Sequence, residues 1–409
     1  MQWDALGFKE NPFSTEPISQ TTMDLYTGHN HELSSCFDVL HQKNVLLVVE
    51  GARGVGTTSF SNRMRFQLES EKLYFTPRNE IRVEPNWQLE TLLAVVVANI
   101  VREIQYFQPS NILNDPRFIN AKALSNRIAE AYRSFGIEAF GFGANYGKAA
   151  GITSMPIIVP SAVIGHHLED LCSLVKSTMG YQYGILVQLN NLDIGAIHEE
   201  HHLRYLFNAL RDYIQTDGIS WILVGDVGLR RFIAQQVDRL DDIVSYEAEI
   251  GSLSKDEYIT LIQKRIEHYR MNEKIISPID SEVFLYLYEI THGRLRYIFG
   301  LLQRLVGSFR IGELTDTLTM DLAKPMIKKL AMERIIRNKL SPSEELLLVK
   351  IVELKRASVS EIAELLGKSI NFVSNSLAKL IEHRLVLFQK EGRSRFYTPE
   401  LDAIIAYSN

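Results

Sequence analysis

The chain has 409 residues, 46% of them hydrophobic and 23% charged, with a formal net charge of -5. That is the composition of a globular protein with more than one core, and the length predicts two or three domains. The balance excludes a broad basic surface, so nucleic-acid contact would have to come from a local patch. No apolar run is long enough to cross a bilayer, and the opening MQWDALGFKENPF lacks the basic and apolar regions of a signal peptide. Cys36 and Cys172 stand far apart, without metal-ligand spacing around them. A cytoplasmic protein with no disulfide framework and no zinc site is therefore expected.

The first strong element is the apolar run Val45–Val49, which passes through Glu50 into Gly51–Ser59 and then into a helical stretch ending near Leu68. Strand, glycine-rich loop and helix in that order suit phosphate binding. Gly51 to Thr58 matches G-x-x-x-x-G-K-[ST] at every position but one, because Thr57 stands where the pattern has Lys. The expected ligand is ATP or ADP with Mg2+. Its phosphates would be held by Gly51, Arg53, Gly54, Val55, Gly56, Thr57, Thr58 and Ser59, with Thr58 as the magnesium ligand. The plain alternative is a turn that merely joins a strand to a helix.

Between residues 135 and 160, five glycines alternate with Phe140, Phe142 and Tyr146. That pattern predicts a β-hairpin insertion, either stabilising a sheet edge or offered to a partner. Two further buried strands are expected at Gly184–Leu189 and Ser220–Val224, with an amphipathic helix between them over Glu199–Gln215. Continuous apolar strands separated by helices predict an α/β fold with a parallel sheet covered on both faces, and ligands then sit at the carboxyl ends of the strands. The second strand ends in Asn190-Asn191-Leu192-Asp193, where a phosphoryl-transfer site places a carboxylate beside the magnesium. Asn190 and Asp193 are the catalytic candidates there. An amide cannot supply a carboxylate's field to a divalent ion. Losing a Lys cation and an Asp anion together leaves the site charge about where it was, which points to binding with slow or absent hydrolysis.

From Leu253 to about Arg337 the pattern becomes helical, with Ser254 as the expected N-cap, and reads as a small lid. A new module starts at Leu340-Ser341-Pro342, with helices through Leu346–Leu354, Val359–Leu366 and Asn371–His383. Strands follow at Leu385–Phe388 and Arg395–Tyr397 around a glycine-containing tip. Asn371, Ser374, Asn375 and Lys379 are expected to face outward from the third helix, and Lys390, Arg393 and Arg395 to lie on the wing. As a DNA reader, the module would place that helix in the major groove of double-stranded DNA and the wing on phosphates. Glu361, Glu364, Glu382 and Glu391 balance these bases, so docking to a protein partner stays open.

On these motifs the chain resembles the AAA+ P-loop ATPases related to archaeal origin-recognition initiators and to STAND-type signalling ATPases, and its last module resembles their winged helix-turn-helix. Gly7-Phe8 with Asn11-Pro12-Phe13, and Tyr26-Thr27-Gly28 with Glu32-Leu33, are similar to the family's adenine-wrapping segment, although His29 stands where the family carries Arg. Asp238-Arg239-Leu240 ahead of Leu253-Ser254 resembles the arginine-finger segment, and Gly293-Arg294-Leu295-Arg296 the lid motif with the sensor arginine. The resemblance implies that Arg239 reaches a neighbouring subunit's nucleotide and that Arg296 contacts its own. Read from residue chemistry alone, Arg239 is equally a helix C-terminal cap, and Arg294 or Arg296 a solvated helix face. The expected layout is a nucleotide-binding domain over 1–250 carrying the insertion at 135–160, a helical lid over 251–338, and a winged helix over 339–409. The function implied is an oligomeric scaffold coupling ATP or ADP occupancy to DNA binding. The alternative is a protein-interaction component of a defence or signalling assembly.

Overall fold

The computed structural model describes residues 3–84, 87–107, 110–134, 159–193, 200–273, 277–308, 317–391 and 394–407. The hairpin expected at 135–160 lies almost wholly outside them. The chain divides into two units, Glu16–Leu253 on the one hand and Met1–Thr15 with Ser254–Asn409 on the other.

The first unit runs α1 (Asn30–Leu40), β1 (Leu46–Gly51), α2 (Thr57–Ser70), β2 (Tyr74–Phe75), β3 (Ile81–Arg82), α3 (Leu89–Phe107), α4 (Ser110–Leu113), α5 (Pro116–Ser134) and α6 (Ser161–Met179). It continues with β4 (Gly184–Asn190), α7 (Glu200–Ile214), β5 (Ile219–Gly225), α8 (Leu229–Gln236), α9 (Asp238–Asp241) and β6 (Tyr246–Ile250). The strands form a parallel sheet in the order β2-β4-β5-β1-β6, with β3 pairing further along the same edge of β4. Two cores explain why β1, β4 and β5 are apolar at successive positions. Leu46, Val48, Val187 and Trp221 face a core shared with α3, α6 and α7, while Leu47, Val49, Leu186 and Ile222 face α1 and α2.

The sheet edge is broken between β2 and β3, and one buried arginine repairs the break. Arg65 of α2 is fully buried; its Nη1 donates to Thr76 Oγ1 at 3.1 Å and to the Pro77 carbonyl, and its Nη2 to Asn62 Oδ1 at 2.9 Å and the Arg78 carbonyl at 3.3 Å. Backbone carbonyls without a strand partner thus gain a donor from the helix behind them. Thr76 Oγ1 also donates to the Leu186 carbonyl at 3.0 Å, which keeps the interrupted edge on β4.

The second unit comprises α10 (Lys255–Tyr269), α11 (Ser281–Ile290), α12 (Leu295–Ser308), α13 (Met320–Arg337), α14 (Pro342–Leu354), β7 (Ala357–Ser358), α15 (Val359–Leu366), α16 (Ile370–Glu382), β8 (Val386–Glu391), β9 (Ser394–Pro399) and α17 (Leu401–Tyr407). Ser254 caps α10 and Ser341 caps α14, each in a reciprocal box with the glutamate three residues on. The fold is thus α/β, a parallel sheet with a phosphate-loop turn after β1 in the first unit, and a helical segment followed by a C-terminal winged helix in the second.

The N-terminal segment packs in this second unit. Met271 N donates to the Gly7 carbonyl at 2.8 Å and Lys9 N to the Tyr269 carbonyl at 2.7 Å, and Phe8 and Phe13 are fully buried. Buried Arg265 donates from Nε to the Pro12 carbonyl at 2.6 Å and from Nη2 to the Ser14 carbonyl at 2.9 Å, over the face of Phe299. Burial pulls its pKa below the usual arginine range. An Arg265→Met substitution keeps the apolar stem and strands two carbonyls at about 1–3 kcal/mol each. The variant is expected to unfold at lower denaturant and to be cleaved faster by trypsin at Lys9; unchanged cleavage would show that the aromatic contacts hold the segment unaided.

Candidate nucleotide site and winged helix

The phosphate loop is made by a buried strand that ends abruptly. β1 delivers Gly51 so close to β6 that a Cβ there would lie 2.4 Å from the Ile250 carbonyl oxygen. The chain then turns, with Val55 N donating to the Ala52 carbonyl at 3.2 Å and the Val55 side chain buried. Gly54 (φ 92°) and Gly56 (φ 115°) take left-handed conformations that turn successive amides toward one side, and α2 begins at Thr57. Amides so turned, ahead of a helix N-terminus, form an anion-binding concavity. Arg53 is exposed, and Thr57, Thr58 and Ser59 are half-exposed. Ser59 Oγ accepts from Ile18 N at 3.3 Å, a partner that sequence alone did not suggest.

Asn190 lies beside this loop. It is 4% exposed at the end of β4, and its Nδ2 donates to Thr58 Oγ1 at 3.3 Å. Its Oδ1 accepts from Gln188 Nε2 at 2.8 Å, so two amides in line replace a carboxylate. Gln188 is the functional residue that sequence reasoning missed; its signal was a polar residue within a run of buried apolar ones. Asp193 is half-buried three residues beyond Asn190. No group of three or more His, Cys, Asp or Glu side chains among the described residues is arranged to hold a metal ion. The side-chain atom beside Thr58 Oγ1 is an amide nitrogen, so this donor set lacks the carboxylate that usually stands by a magnesium ion.

Glu50, inside β1, accepts from Gly228 N at 3.2 Å and Arg230 N at 2.8 Å, which caps α8. Arg230 in turn pairs with Asp241 and Glu247. Arg239 is exposed on α9, where its carbonyl accepts from Arg211 Nε at 3.2 Å. Arg296 is exposed in the first turn of α12, in the second unit. Its neighbours Arg294 and Tyr297, with Arg334 of α13, meet the winged helix: Arg294 pairs with Glu400 at 3.3 Å, Tyr297 donates to Asp402, and Arg334 meets Asp402 at 2.6 Å.

In the winged helix, α16 starts at Ser369, whose Oγ accepts from Phe372 N at 3.3 Å. Val373, Ser376, Leu377 and Leu380 turn inward, while Asn371, Ser374, Asn375 and Lys379 are exposed as expected. Lys379 is engaged there, because its Nζ donates to Glu344 Oε1 at 2.7 Å and ties α16 to the first turn of α14. On the wing, β8 and β9 pair antiparallel, with Lys390 opposite Arg395, and the exposed Arg395 guanidinium lies 5.6 Å from the Phe388 ring centre. Arg393 lies outside the described residues. Arg356, exposed just before β7 and stacked 4.1 Å from the Phe396 ring centre, is a further cation on this sheet that sequence did not single out.

Comparison with known proteins gives a family match over the last module only, to the HVO_A0114 family over residues 339–404. A curated relative, an uncharacterized HTH-type transcriptional regulator of Methanocaldococcus jannaschii, is 23% identical over 402 residues, covering 96% of this chain and 90% of that one. Among solved structures, the Walker-type ATPase of Pyrococcus abyssi aligns at a TM-score of 0.48 and 14% identity, over 97% of this chain and 99% of that one. The Aeropyrum pernix ORC2 protein in its ADP form aligns at 0.49 and 14%, over 98% of each. The Aeropyrum pernix ORC1 protein in complex with DNA aligns at 0.47 and 14%, over 94% of this chain and 92% of that one.

Glu344 carries a titration signature. The hydrogen bond from Lys379 and those within the Ser341 cap hold its carboxyl well below the usual range, at about 2 against 4.5. A depressed carboxylate stabilises the fold above its unfolded pKa and loses that contribution as pH falls through the folded one. Stability of the second unit is therefore expected to fall between about pH 4.5 and about pH 2, and Glu344→Gln to flatten that part of the profile. Denaturant titrations followed by circular dichroism across that range check this; an unchanged slope in the variant would assign the loss elsewhere.

Proposed function

We propose that the protein binds ATP or ADP at the Gly51–Thr58 loop and uses that occupancy to govern engagement of double-stranded DNA by its winged helix. The observation that carries the nucleotide reading is the pair of left-handed glycines turning amides into one concavity at the head of α2. The Asn371, Ser374 and Asn375 face of α16 supports the DNA reading, as does the full-length likeness to a protein named as an HTH-type regulator. Contacts of α12 and α13 with Glu400 and Asp402 supply a path within the second unit from the lid to the winged helix. In this reading Arg296 answers to the bound nucleotide, Asp193 is the acid closest in sequence to Asn190, and exposed Arg239 is offered to a second copy in an oligomer.

Hydrolysis is expected to be slow. Thr57 brings no cation to the transferring phosphoryl group and Asn190 no carboxylate, so steady-state ATP turnover should lie well below the ~1 per second of a slow enzyme. Phosphate release assays check this, and faster turnover that Thr58→Ala abolishes would mean the site has found other charges.

A second reading, docking of a protein by the winged helix, is favoured by Leu365 and Ile370, which are 53% and 58% exposed on either side of the turn into α16. DNA titrations separate the two. Phosphate contacts release counterions, so Arg395→Ala is expected to weaken all duplexes and to lower the salt slope by about one unit. Asn371→Ala or Asn375→Ala should change sequence preference instead. Lys379→Ala should affect stability more than salt slope, because its charge is spent on Glu344. Absence of duplex binding at low salt with nucleotide present would favour the protein-docking reading.

A further inference from the structure

The hydroxyl that opens α2 faces a donor where a magnesium site requires an acceptor. When a threonine hydroxyl ligates Mg2+, its lone pairs point at the cation and its proton must go to an acceptor, the service that a neighbouring carboxylate performs. Here the polar atom 3.3 Å from Thr58 Oγ1 is Asn190 Nδ2, whose N–H occupies a lone pair of the hydroxyl and leaves its proton to point elsewhere.

Gln188 continues that polarity. Its Nε2 donates to Asn190 Oδ1 at 2.8 Å, which engages the amide oxygen and turns the nitrogen toward Thr58. Both side chains are at least nine-tenths buried, and Gln188 Oε1 has no hydrogen-bond partner, so its donation to Asn190 is what holds it. Turning the Asn190 amide alone would break that bond within a dry interior, at about 1–3 kcal/mol, and the opposite polarity needs Gln188 to turn with it. The pattern position that brings a cation to the phosphates is also neutral, because it holds Thr57.

We infer that this loop binds the free nucleotide anion, without a divalent ion. Thr58 O–H, polarised by Asn190, donates to a phosphate oxygen where a magnesium site would present a lone pair. The Gly51–Thr58 amides and the head of α2 supply the remaining attraction. The inference rests on the nucleotide reading above and concerns only the cation.

Calorimetry of the full chain with ADP, in excess chelator and again in excess magnesium, decides it. The two dissociation constants are expected to agree within about twofold. Asn190→Asp restores the acceptor, and in that variant magnesium is expected to tighten ADP binding by at least about tenfold, or ~1.4 kcal/mol. Should Asn190→Asp fail to fold, as circular dichroism would show, Gln188→Leu frees the Asn190 oxygen and is expected to move binding in the same direction. Binding by the wild-type chain only with magnesium, or tenfold tighter with it, overturns the inference and leaves the nucleotide reading standing. Equal binding in both conditions by wild type and both variants overturns the role given to Asn190. No heat in either condition, with the thermal midpoint unmoved, overturns the nucleotide reading itself.

Discussion

The site depends on where β1 stops. Flanked by β5 and β6 and buried on both faces, this strand cannot slide without moving its apolar residues out of two cores at once. Its last residue, Gly51, is pressed against the Ile250 carbonyl with no room for a side chain, so only glycine fits where the turn begins. The amides that follow are aimed by backbone conformation, through the positive φ of Gly54 and Gly56. A concavity aimed in this way survives changes to the side chains around it. That is why a loop without the usual lysine keeps the shape of a phosphate cradle.

Electrostatics around α2 follow the same division between backbone geometry and charge. Behind the helix, Arg65 and Glu69 on α2, Glu103 on α3 and Arg78 form a cluster in which Arg78 Nε meets Glu103 Oε1 at 2.9 Å. Burial, and then Glu103, push the Glu69 carboxyl up to about 7, while burial draws Arg65 down to about 10. Ion pairs in such places contribute little net stability, since desolvation offsets attraction. What Arg65 contributes is donors to the carbonyls of a broken strand edge, each worth about 1–3 kcal/mol if left unmet. At the front of the helix, Thr57 and Asn190 present neutral side chains.

Elements whose signal is local were legible in the sequence. The β1 run, the glycine spacing, the ends of β4 and β5, and the Ser254 and Ser341 caps all stand where the residue pattern puts them, because period, turn residues and capping chemistry act over a few residues. The outward face of α16 was equally readable from its 3.6-residue period. What escaped depends on contacts far apart in the chain. Nothing near Arg265 says that it will hold the carbonyls of Pro12 and Ser14, and nothing near Lys379 says that Glu344 will claim it. Gln188 escaped for another reason, since one polar residue in an apolar strand reads as tolerance until its partner is known.

The lid and winged helix raise a question of magnitude. Arg294, Tyr297 and Arg334 all meet the start of α17, at Glu400 and Asp402, and acids at a helix N-terminus are favoured by its dipole. Hydrogen bonds of this kind are worth about 0.5–1.5 kcal/mol each, so three of them together reach a few kcal/mol. Moving a two-state equilibrium from one strongly preferred form to the other takes about 5.5 kcal/mol. These contacts alone would not lock the winged helix to α12 against an opposing ligand, yet they suffice to bias it by about tenfold or more. Under the proposed function, a response at Arg296 would pass to Arg294, just ahead of α12, and to Tyr297 in its first turn, and so to α17. Coupling of that size would, under that function, shift affinity for DNA by degree.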